Sequence, residues 1–471
     1  MIVDNCKATK APAPFSHPKG PCYDPETVVL TAVRNVPRLD ERHHHHHPHI
    51  AIDEAFSIDE STFPHSYWPV TSWGVGDAIF SLFLLPVMED FGIYYVVLIV
   101  YLIYICFLIP IGVAQNFATL IVTRFFSGGC VAILANTVAG IISNVFVGNR
   151  ARTVPMSMYI TTYLVSSSMG PVVGASIYQF LSWRWIGYLQ LIWTGFFFPL
   201  FIVGMPETRG SAILRSRAKK LRKEGKKTYT QDELDTTSLF QVVLKSVQRP
   251  LYMICTESVV FVATLWPAFS LGTIYLFTQS AEQVFGELYG FSAVQSGYVQ
   301  VSVVIGEILG WIYCLPTNRW YYKSALRNTE IPGTEIPEAR LYQALVGVLS
   351  HGSRLPSAWP WLVLAPPVSS SALPITWSTP YSKYAGSAVG TIGLGENIFI
   401  AFLPMAAQSM YTNLGFQWAS SLLGFVSLIL AFAPVAVFIW GKEIRTRSPF
   451  MKEAAEDKRR DSVVSAPTAD V

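Results

Sequence analysis

Charged residues are scarce in this chain. Only 14% of its 471 residues are charged, whereas 51% are hydrophobic, and the mean hydropathy is +0.37. A water-soluble protein usually carries more charged residues on its surface, whereas a chain embedded mainly in lipid needs few. The composition therefore predicts an integral membrane protein. The net charge of only +3 gives no reason to expect nucleic acid as a partner.

Cysteine is also rare, and its distribution excludes the scaffolds that depend on it. Six cysteines stand singly along the chain, so we expect free thiols and neither disulfides nor a cysteine-based metal centre. The chain has no P-loop glycine motif, which argues against an ATP-driven pump, and no constellation typical of a soluble enzyme. We therefore expect no enzymatic activity, no catalytic residues, no cofactor and no metal. For the histidines at 43–47 and 49, a transition-metal site is the alternative to a low-complexity tail.

Positive charge is concentrated in the middle of the chain. Residues 211–227 read SAILRSRAKKLRKEGKK, and such a basic segment stays on the cytoplasmic side during membrane insertion. It lies in a central loop, 206–250, that separates two sets of apolar segments. We predict a polar, largely disordered N-terminal tail at 1–67, transmembrane halves at 68–205 and 251–441, and a cytoplasmic tail at 442–471.

Segments of about twenty apolar residues, which cross about 30 Å of hydrocarbon, mark the transmembrane helices. Five precede the central loop, at 70–88, 93–114, 118–147, 155–181 and 185–205. Four follow it, at 253–280, 292–315, 387–411 and 417–440. Repeated prolines interrupt the stretch 343–378, and proline removes helix hydrogen bonds that lipid does not replace, so distorted spans and an ordinary loop are both open there.

The loops between the spans agree on one orientation. The connection 148–154 is basic, 115–117 is uncharged and 282–290 is acidic. An excess of Lys and Arg marks the cytoplasmic side, which places 148–154, the central loop and 316–341 inside. The uncharged and acidic connections lie outside. The N-terminal tail would then begin outside, since no span is visible before residue 68.

Short motifs recur at fixed places along the spans. The segment 120–128 has the pattern LxxxRxxSG around Arg124, and 170–174 reads GPVVG. Four further strings stand at span boundaries: WRW at 183–185, PETRG at 206–210, PEARLY at 337–342 and QWASSLLG at 417–424. Together they resemble the major facilitator superfamily, and within it the fungal drug:proton antiporter branch, over nearly the whole chain after residue 63. The resemblance implies an all-α bundle of two six-helix halves around a midplane cavity.

The chain departs from that family in three segments. LPVMEDFG at 85–92 aligns with the loop after the family's second helix, so the first helix would fall in 28–64, which is too polar to cross a bilayer. The family's loop continues with two cations where this chain has Ile93 and Tyr94. The ninth and tenth helices would occupy 350–378. We therefore expect an incomplete bundle, and a truncated or decayed protein without transport activity is the alternative to a competent transporter.

Arg124 is the first candidate site residue, because a cation inside an apolar span must find a carboxylate, a carbonyl or water. The resemblance implies that it couples proton movement to substrate movement. A position near the membrane surface, with the head extended into water, is the alternative. By the same resemblance, Gly170, Pro171 and Gly174 would form a hinge that packs closely against the other half. The cytoplasmic gating loop would contain Glu89, Asp90 and Gly92.

Four carboxyl residues lie in or near apolar spans, namely Asp77, Glu257, Glu307 and Glu396. A carboxyl enclosed by apolar groups can bind and release a proton near neutral pH, so each is a candidate proton carrier. We expect Glu257 to be solvated near the cytoplasmic face. Asp77 has no counterpart in the resemblance and would face lipid in a bundle without its first helix.

Aromatic residues are frequent in the second half and are candidates for lining the cavity. For each of them, a lipid-facing or interfacial position is the alternative. The cavity candidates are Trp266, Tyr275, Tyr298, Trp311 and Asn397.

The hypothesis that follows is a secondary active transporter, monomeric and resident in a fungal plasma membrane. By resemblance, it would export a small lipophilic compound, such as a drug, a toxin or a secondary metabolite, in exchange for protons. Its partners would be that substrate, protons and the lipid bilayer. Uptake of a nutrient by the same fold remains an alternative.

Overall fold

The computed structural model describes residues 56, 67–146, 148–225, 228–230, 239–324, 326 and 385–447. These residues form α-helices and no strand, which confirms the predicted all-α class. Three predictions lie outside the described residues: the polar segment 28–64 apart from Phe56, the histidines at 43–49, and the proline-rich stretch 343–378.

The predicted spans of the first half all coincide with helices. They are α1 (Trp68–Phe91), α2 (Ile93–Val113), α3 (Phe117–Val145), α4 (Asn149–Phe180) and α5 (Arg184–Gly204). A short basic helix, α6 (Gly210–Lys223), follows at the start of the central loop.

The second half is also helical at the predicted spans, but three of them, 253–280, 292–315 and 387–411, run across a break between two helices, at Glu257, Gln300 and 403–404. Its helices are α7 (Leu239–Thr256), α8 (Ser258–Tyr289), α9 (Ala293–Val299), α10 (Val301–Ser324), α11 (Ala385–Phe402) and α12 (Met405–Arg447). Gly415 has φ 76° and ψ 158°, so α12 is two helical segments joined at a kink. Among the described residues, five helices are long and apolar enough to cross a membrane: Ile93–Val113, Phe117–Val145, Arg184–Gly204, Val260–Tyr289 and Val294–Ser324.

Glycines set the distance between α1 and α3. A Cβ atom on Gly76 would collide with the carbonyl oxygen of Phe125, and one on Gly128 would collide with the carbonyl oxygen of Trp73. The two backbones therefore touch at two places, which is how small residues replace the missing hydrophobic effect between helices in lipid. This contact orients α3 and with it Arg124.

Polar side chains complete the helix ends at the surface of the first half. The Glu207 carboxylate of the PETRG motif accepts hydrogen bonds from the backbone N–H groups of Ile93 (3.2 Å), Tyr94 (3.1 Å) and Arg209 (2.8 Å). It thereby satisfies donors that the first turn of α2 leaves free and places a negative charge at the positive end of that helix. At the opposite end of α2, Arg184 Nη2 donates to the carbonyl oxygen of Ala114 (3.3 Å).

Many large apolar side chains point outward from the bundle. Trp193, Phe196 and Val203 on α5 are 66%, 65% and 89% exposed. Such a surface would aggregate in water, but it matches the hydrocarbon of a bilayer. The exposed face of α5 therefore fits a helix that contacts lipid.

Candidate transport site

Several helix contacts join the first half to the second. We call the contact of α1 with α11 the first seam, and the contact of α4 with α9 and α10 the second seam; α1 also contacts α7. Each seam brings together residues that are far apart in sequence. The candidate site lies where polar groups meet at these two seams.

The first seam contains Asp77. Its Oδ1 atom accepts a hydrogen bond of 2.8 Å from Nδ2 of Asn397, and the side chain is only 6% exposed. The expectation that Asp77 would face lipid is therefore wrong, because the residue points toward α11 and not outward. One turn away, a Cβ atom on Gly74 would come within 2.8 Å of Ala401 Cβ, so the helices are in close contact beside the carboxylate.

A second carboxyl group stands beside Asp77. Glu396 precedes Asn397 on α11 and lies close enough to Asp77 for the two groups to interact electrostatically. Two carboxyl groups that interact in this way repel each other when both are ionised, and the repulsion is stronger where little water separates them. The first seam therefore holds a carboxyl pair whose packing depends on how many protons it carries.

The second seam contains Glu307. Its Oε1 atom accepts a 2.8 Å hydrogen bond from the Ser168 hydroxyl, and both residues are almost fully buried, at 1% and 2% exposed. The other oxygen, Oε2, has no hydrogen-bond partner in the described part of the chain. A buried carboxyl oxygen without a partner is costly, and the cost is larger for the ionised group than for the protonated one.

Tyrosine residues connect the two seams. Tyr275 on α8 shares a 2.9 Å hydrogen bond with the Ser167 hydroxyl of α4 and interacts electrostatically with both Asp77 and Glu307. Tyr163 on α4 lies next to Tyr275 and in the field of Asp77 and Glu396. Three of the four predicted carboxyl residues therefore belong to one polar cluster.

Sequence reasoning did not identify the α4 members of this cluster. Tyr159, Tyr163 and Ser167 recur every four residues and so lie on one face of the helix. That spacing of polar groups in an apolar span was the available signal. Ser168 carries no such pattern and is found only through its contact with Glu307.

Glu257, the fourth carboxyl, lies outside the cluster. It is 3% exposed and occupies the position just before α8, where its N–H donates to the carbonyl oxygen of Met253 (2.9 Å). The expectation that it would be solvated is wrong, because the folded chain buries the residue almost completely.

Arg124 also lies apart from the carboxyl cluster. It is half-buried on α3, where it interacts electrostatically with the Tyr104 hydroxyl of α2. Its Nε atom is buried without a hydrogen-bond partner, and Arg124 forms no ion pair within the described residues. The structure therefore does not bring Arg124 to any of the proposed proton carriers.

The predicted hinge behaves differently from the expectation of close packing. Among the described residues, a Cβ atom on Gly170 or Gly174 would meet nothing within 4 Å, whereas one on Gly297 of α9 would lie 2.7 Å from Ala175 Cβ and 3.3 Å from the Pro171 carbonyl oxygen. The close contact thus uses Pro171 and Ala175. The expectation is wrong for the two glycines because they lie on a different face of α4, about 100° around the helix.

The gating residues are only partly described. Gly92 has φ 92°, and a Cβ atom there would come within 2.7 Å of Glu207 Oε2, so both backbone and space favour glycine. The side chains of Glu89 and Asp90 lie outside the described atoms. The backbone N–H groups of Ile93 and Tyr94 bind Glu207 where the family loop has cations.

The aromatic candidates divide into three groups. Tyr275 joins the cluster, and Trp311 reaches across the second seam, with Nε1 3.4 Å from the Ser157 hydroxyl. Trp266 is buried within α8, at 6% exposed. Tyr298 is 52% exposed on α9 and makes only a long 3.5 Å contact with Ser176.

Comparisons with known proteins agree with this architecture. The family model described as Major Facilitator Superfamily matches residues 49–332. The chain is 29% identical to a protein named Efflux pump atB from Aspergillus terreus, over 78% of this chain and 82% of that protein. It is also 29% identical to the Citrinin biosynthesis cluster MFS transporter mrr1 from Monascus ruber, over 78% of this chain and 76% of that one.

Solved structures share the fold at low sequence identity. The human organic anion transporter MFSD10 superposes with a TM-score of 0.54 at 16% identity, covering 82% of this chain and 88% of that chain. The proton:xylose symporter XylE superposes with a TM-score of 0.52 at 14% identity, covering 84% and 90%. At this identity the likeness concerns the fold alone.

Proposed function

Since the chain belongs to the major facilitator superfamily and is a multi-pass membrane transporter, we propose that it couples proton flow to the export of a small lipophilic compound. We place it, as a monomer, in the plasma membrane. The family supplies the transport activity and its alternating-access principle. Proton coupling, export and the class of substrate are the parts that we add.

One observation carries the proposal: each seam has a buried carboxyl hydrogen-bonded across it, Asp77 to Asn397 and Glu307 to Ser168. An ionised carboxyl only accepts hydrogen bonds, whereas a protonated one also donates. Proton binding therefore changes the contacts that hold the halves together. A transporter that must open and close at these seams can use that change to couple protons to its conformation.

Repulsion between Glu396 and Asp77 favours opening of the first seam. When Asp77 and Glu396 are both ionised they repel each other, and one bound proton removes that repulsion. The seam is therefore more stable with one proton than with none. This is the property that a proton carrier needs in order to drive a conformational change.

Aromatic side chains favour a lipophilic substrate. Tyr163 and Tyr275 lie among the carboxyl groups, and Trp311 crosses the second seam. Aromatic faces offer large apolar contact with a polar edge, which suits flat organic molecules. The names of the two fungal relatives, an efflux pump and a transporter of a citrinin biosynthesis cluster, favour secondary-metabolite export over nutrient uptake.

The test is efflux from a yeast lacking its own drug exporters. Cells expressing the full chain are loaded with a fluorescent lipophilic dye, and energy-dependent loss of dye is measured with and without a protonophore after surface localisation is confirmed. We expect efflux that the protonophore abolishes and that Glu396→Gln reduces to background. Surface protein without efflux over a varied panel of compounds would refute the proposal in favour of an inactive, transporter-like membrane protein.

A further inference from the structure

Arg124 stands where three helices of the first half converge. It lies seven residues into α3, Tyr104 is on α2, and Gln190 is six residues into α5. At 1.5 Å per residue, Arg124 and Gln190 are about 10 Å below the same end of the bundle. Around them the packing is apolar, with Leu108 and Ile133 1% exposed.

The group is rich in hydrogen-bond donors. Gln190 Nε2 donates a 2.7 Å hydrogen bond to the Tyr104 hydroxyl oxygen, which leaves the hydroxyl hydrogen available to donate elsewhere. Arg124 carries five N–H donors and no acceptor. Tyr104 and Gln190 are both neutral, so neither balances the guanidinium charge.

No acidic residue in the described part of the chain neutralises Arg124. Asp77 is on the neighbouring α1, but its carboxylate is bound by Asn397 across the first seam. The Arg124 Nε atom is buried and unpartnered, whereas the residue as a whole is only half-buried and so can be approached. An unbalanced cation in an apolar span is costly and calls for an anion.

We propose that Arg124, together with Tyr104 and Gln190, binds the carboxylate or an equivalent anionic group of the transported molecule. This inference deepens the proposed function, on which it rests for the identity of the ligand as the exported compound. Arg124 provides the charge and a planar pair of donors, and the Tyr104 hydroxyl provides a third donor. The substrate would be an amphiphilic organic acid, because the packing around Arg124 is apolar.

Equilibrium binding tests the site independently of efflux. The probes are a fluorescent dye that carries a single carboxylate and the methyl ester of the same dye, titrated into the purified full chain and followed by fluorescence polarisation. We expect the wild-type chain to bind the carboxylate more tightly than the ester. Arg124→Gln should weaken carboxylate binding about tenfold, as for loss of a charge-assisted hydrogen bond, and leave ester binding unchanged. Tyr104→Phe should have a smaller effect of the same kind.

Arg184→Gln is the matched control, because Arg184 is another arginine of the first half but caps the end of α2 through the Ala114 carbonyl. It should leave the preference for the carboxylate intact. Equal binding of the two probes to wild type, or a preference that persists in Arg124→Gln, would overturn the inference. Neither result bears on whether the chain exports the ester in a proton-dependent manner, so the two proposals fail separately.

Discussion

Both seams join the two halves of the bundle, but the side chains that form the contact differ between them. In the first, a carboxylate meets an amide beside a glycine–alanine contact, and a second carboxyl, Glu396, stands next to it. In the second, a single carboxyl meets a serine hydroxyl, and aromatic side chains contribute along the length of the contact. Both carboxyls are buried, so the difference lies in their partners.

The partners determine how each seam responds to a proton. A hydroxyl rotates to donate or to accept without moving its heavy atom, so Ser168 can hold Glu307 in either protonation state. An amide must turn by about half a rotation to exchange its donor for its acceptor. The first seam also contains a repelling carboxyl pair. We infer that a change in protonation alters the first seam more than the second, because the second seam can accommodate both protonation states of its carboxyl.

Filling the first seam should have the largest effect. In Gly74→Leu the new side chain would occupy the space of Ala401, since even a Cβ atom lies 2.8 Å from Ala401 Cβ and 2.9 Å from its Cα. Overpacking of this kind costs about 1 to 3 kcal/mol and here also keeps the halves apart. We expect efflux to fall to background and the melting temperature of the purified protein to drop.

The control for that variant is Gly393→Leu on α11, where a Cβ atom would meet no atom of the described residues within 4 Å. It should retain efflux and melting temperature. If Gly74→Leu transports as well as this control, α1 and α11 do not need to touch during transport.

Neutralising the first seam should have the next largest effect. Asp77→Asn keeps the shape and a hydrogen bond to Asn397 but removes the charge that a proton would cancel. Proton-driven efflux in proteoliposomes should fall to background, while the protein remains folded. Glu224→Gln at the exposed end of α6 is the matched loss of one carboxylate, and it should change nothing. Equal activity of the two variants would remove Asp77 from proton coupling.

The helices themselves were predictable, because long apolar runs bounded by polar residues leave few alternatives to a helix. Thus 93–114 and 185–205 were predicted and Ile93–Val113 and Arg184–Gly204 were found. The pairing of Asp77 with Asn397 was not predictable, since 320 residues separate them and only the packing of α1 on α11 brings them together. The sequence indicates Asp77 as a proton carrier and Asn397 as a cavity residue, but it does not indicate that they pair.

Helix phase explains the error at the hinge. The GPVVG motif indicates small residues but not the direction in which each one points, and α4 turns Ala175, not Gly174, toward Gly297. Glu257 is a different case: it lies between two helices in sequence, yet it is only 3% exposed. A single sequence predicts where a residue lies along a helix better than it predicts which neighbouring helix the residue faces.

Neutralising the second seam should be milder than neutralising the first. In Glu307→Gln the amide can still bond the Ser168 hydroxyl, which adapts by rotation, so efflux should fall to roughly half of the wild-type rate. Ser168→Ala should reduce it further, because it leaves a buried carboxyl oxygen unpaired. The measurement is the initial efflux rate at equal surface expression. A loss in Glu307→Gln as complete as that in Asp77→Asn would show that the two seams respond alike.

The smallest effect is expected at the far end of the second seam. Tyr322 donates a 2.8 Å hydrogen bond to the Thr153 hydroxyl, and Arg150 lies 5.2 Å from the centre of the Tyr322 ring. Tyr322→Phe keeps the ring and its contact with Arg150 but removes the hydrogen bond, which is worth about 1 kcal/mol. We expect a slight fall in melting temperature and efflux near the wild-type rate, because this contact holds the ends of α4 and α10 together without carrying a titratable carboxyl. Tyr289→Phe, on an exposed tyrosine that stacks on Phe285, is the matched control and should not change the melting temperature. Complete loss of efflux in Tyr322→Phe would mean that the second seam depends on its end contacts and not on Glu307, and the contrast between the seams would have to be redrawn.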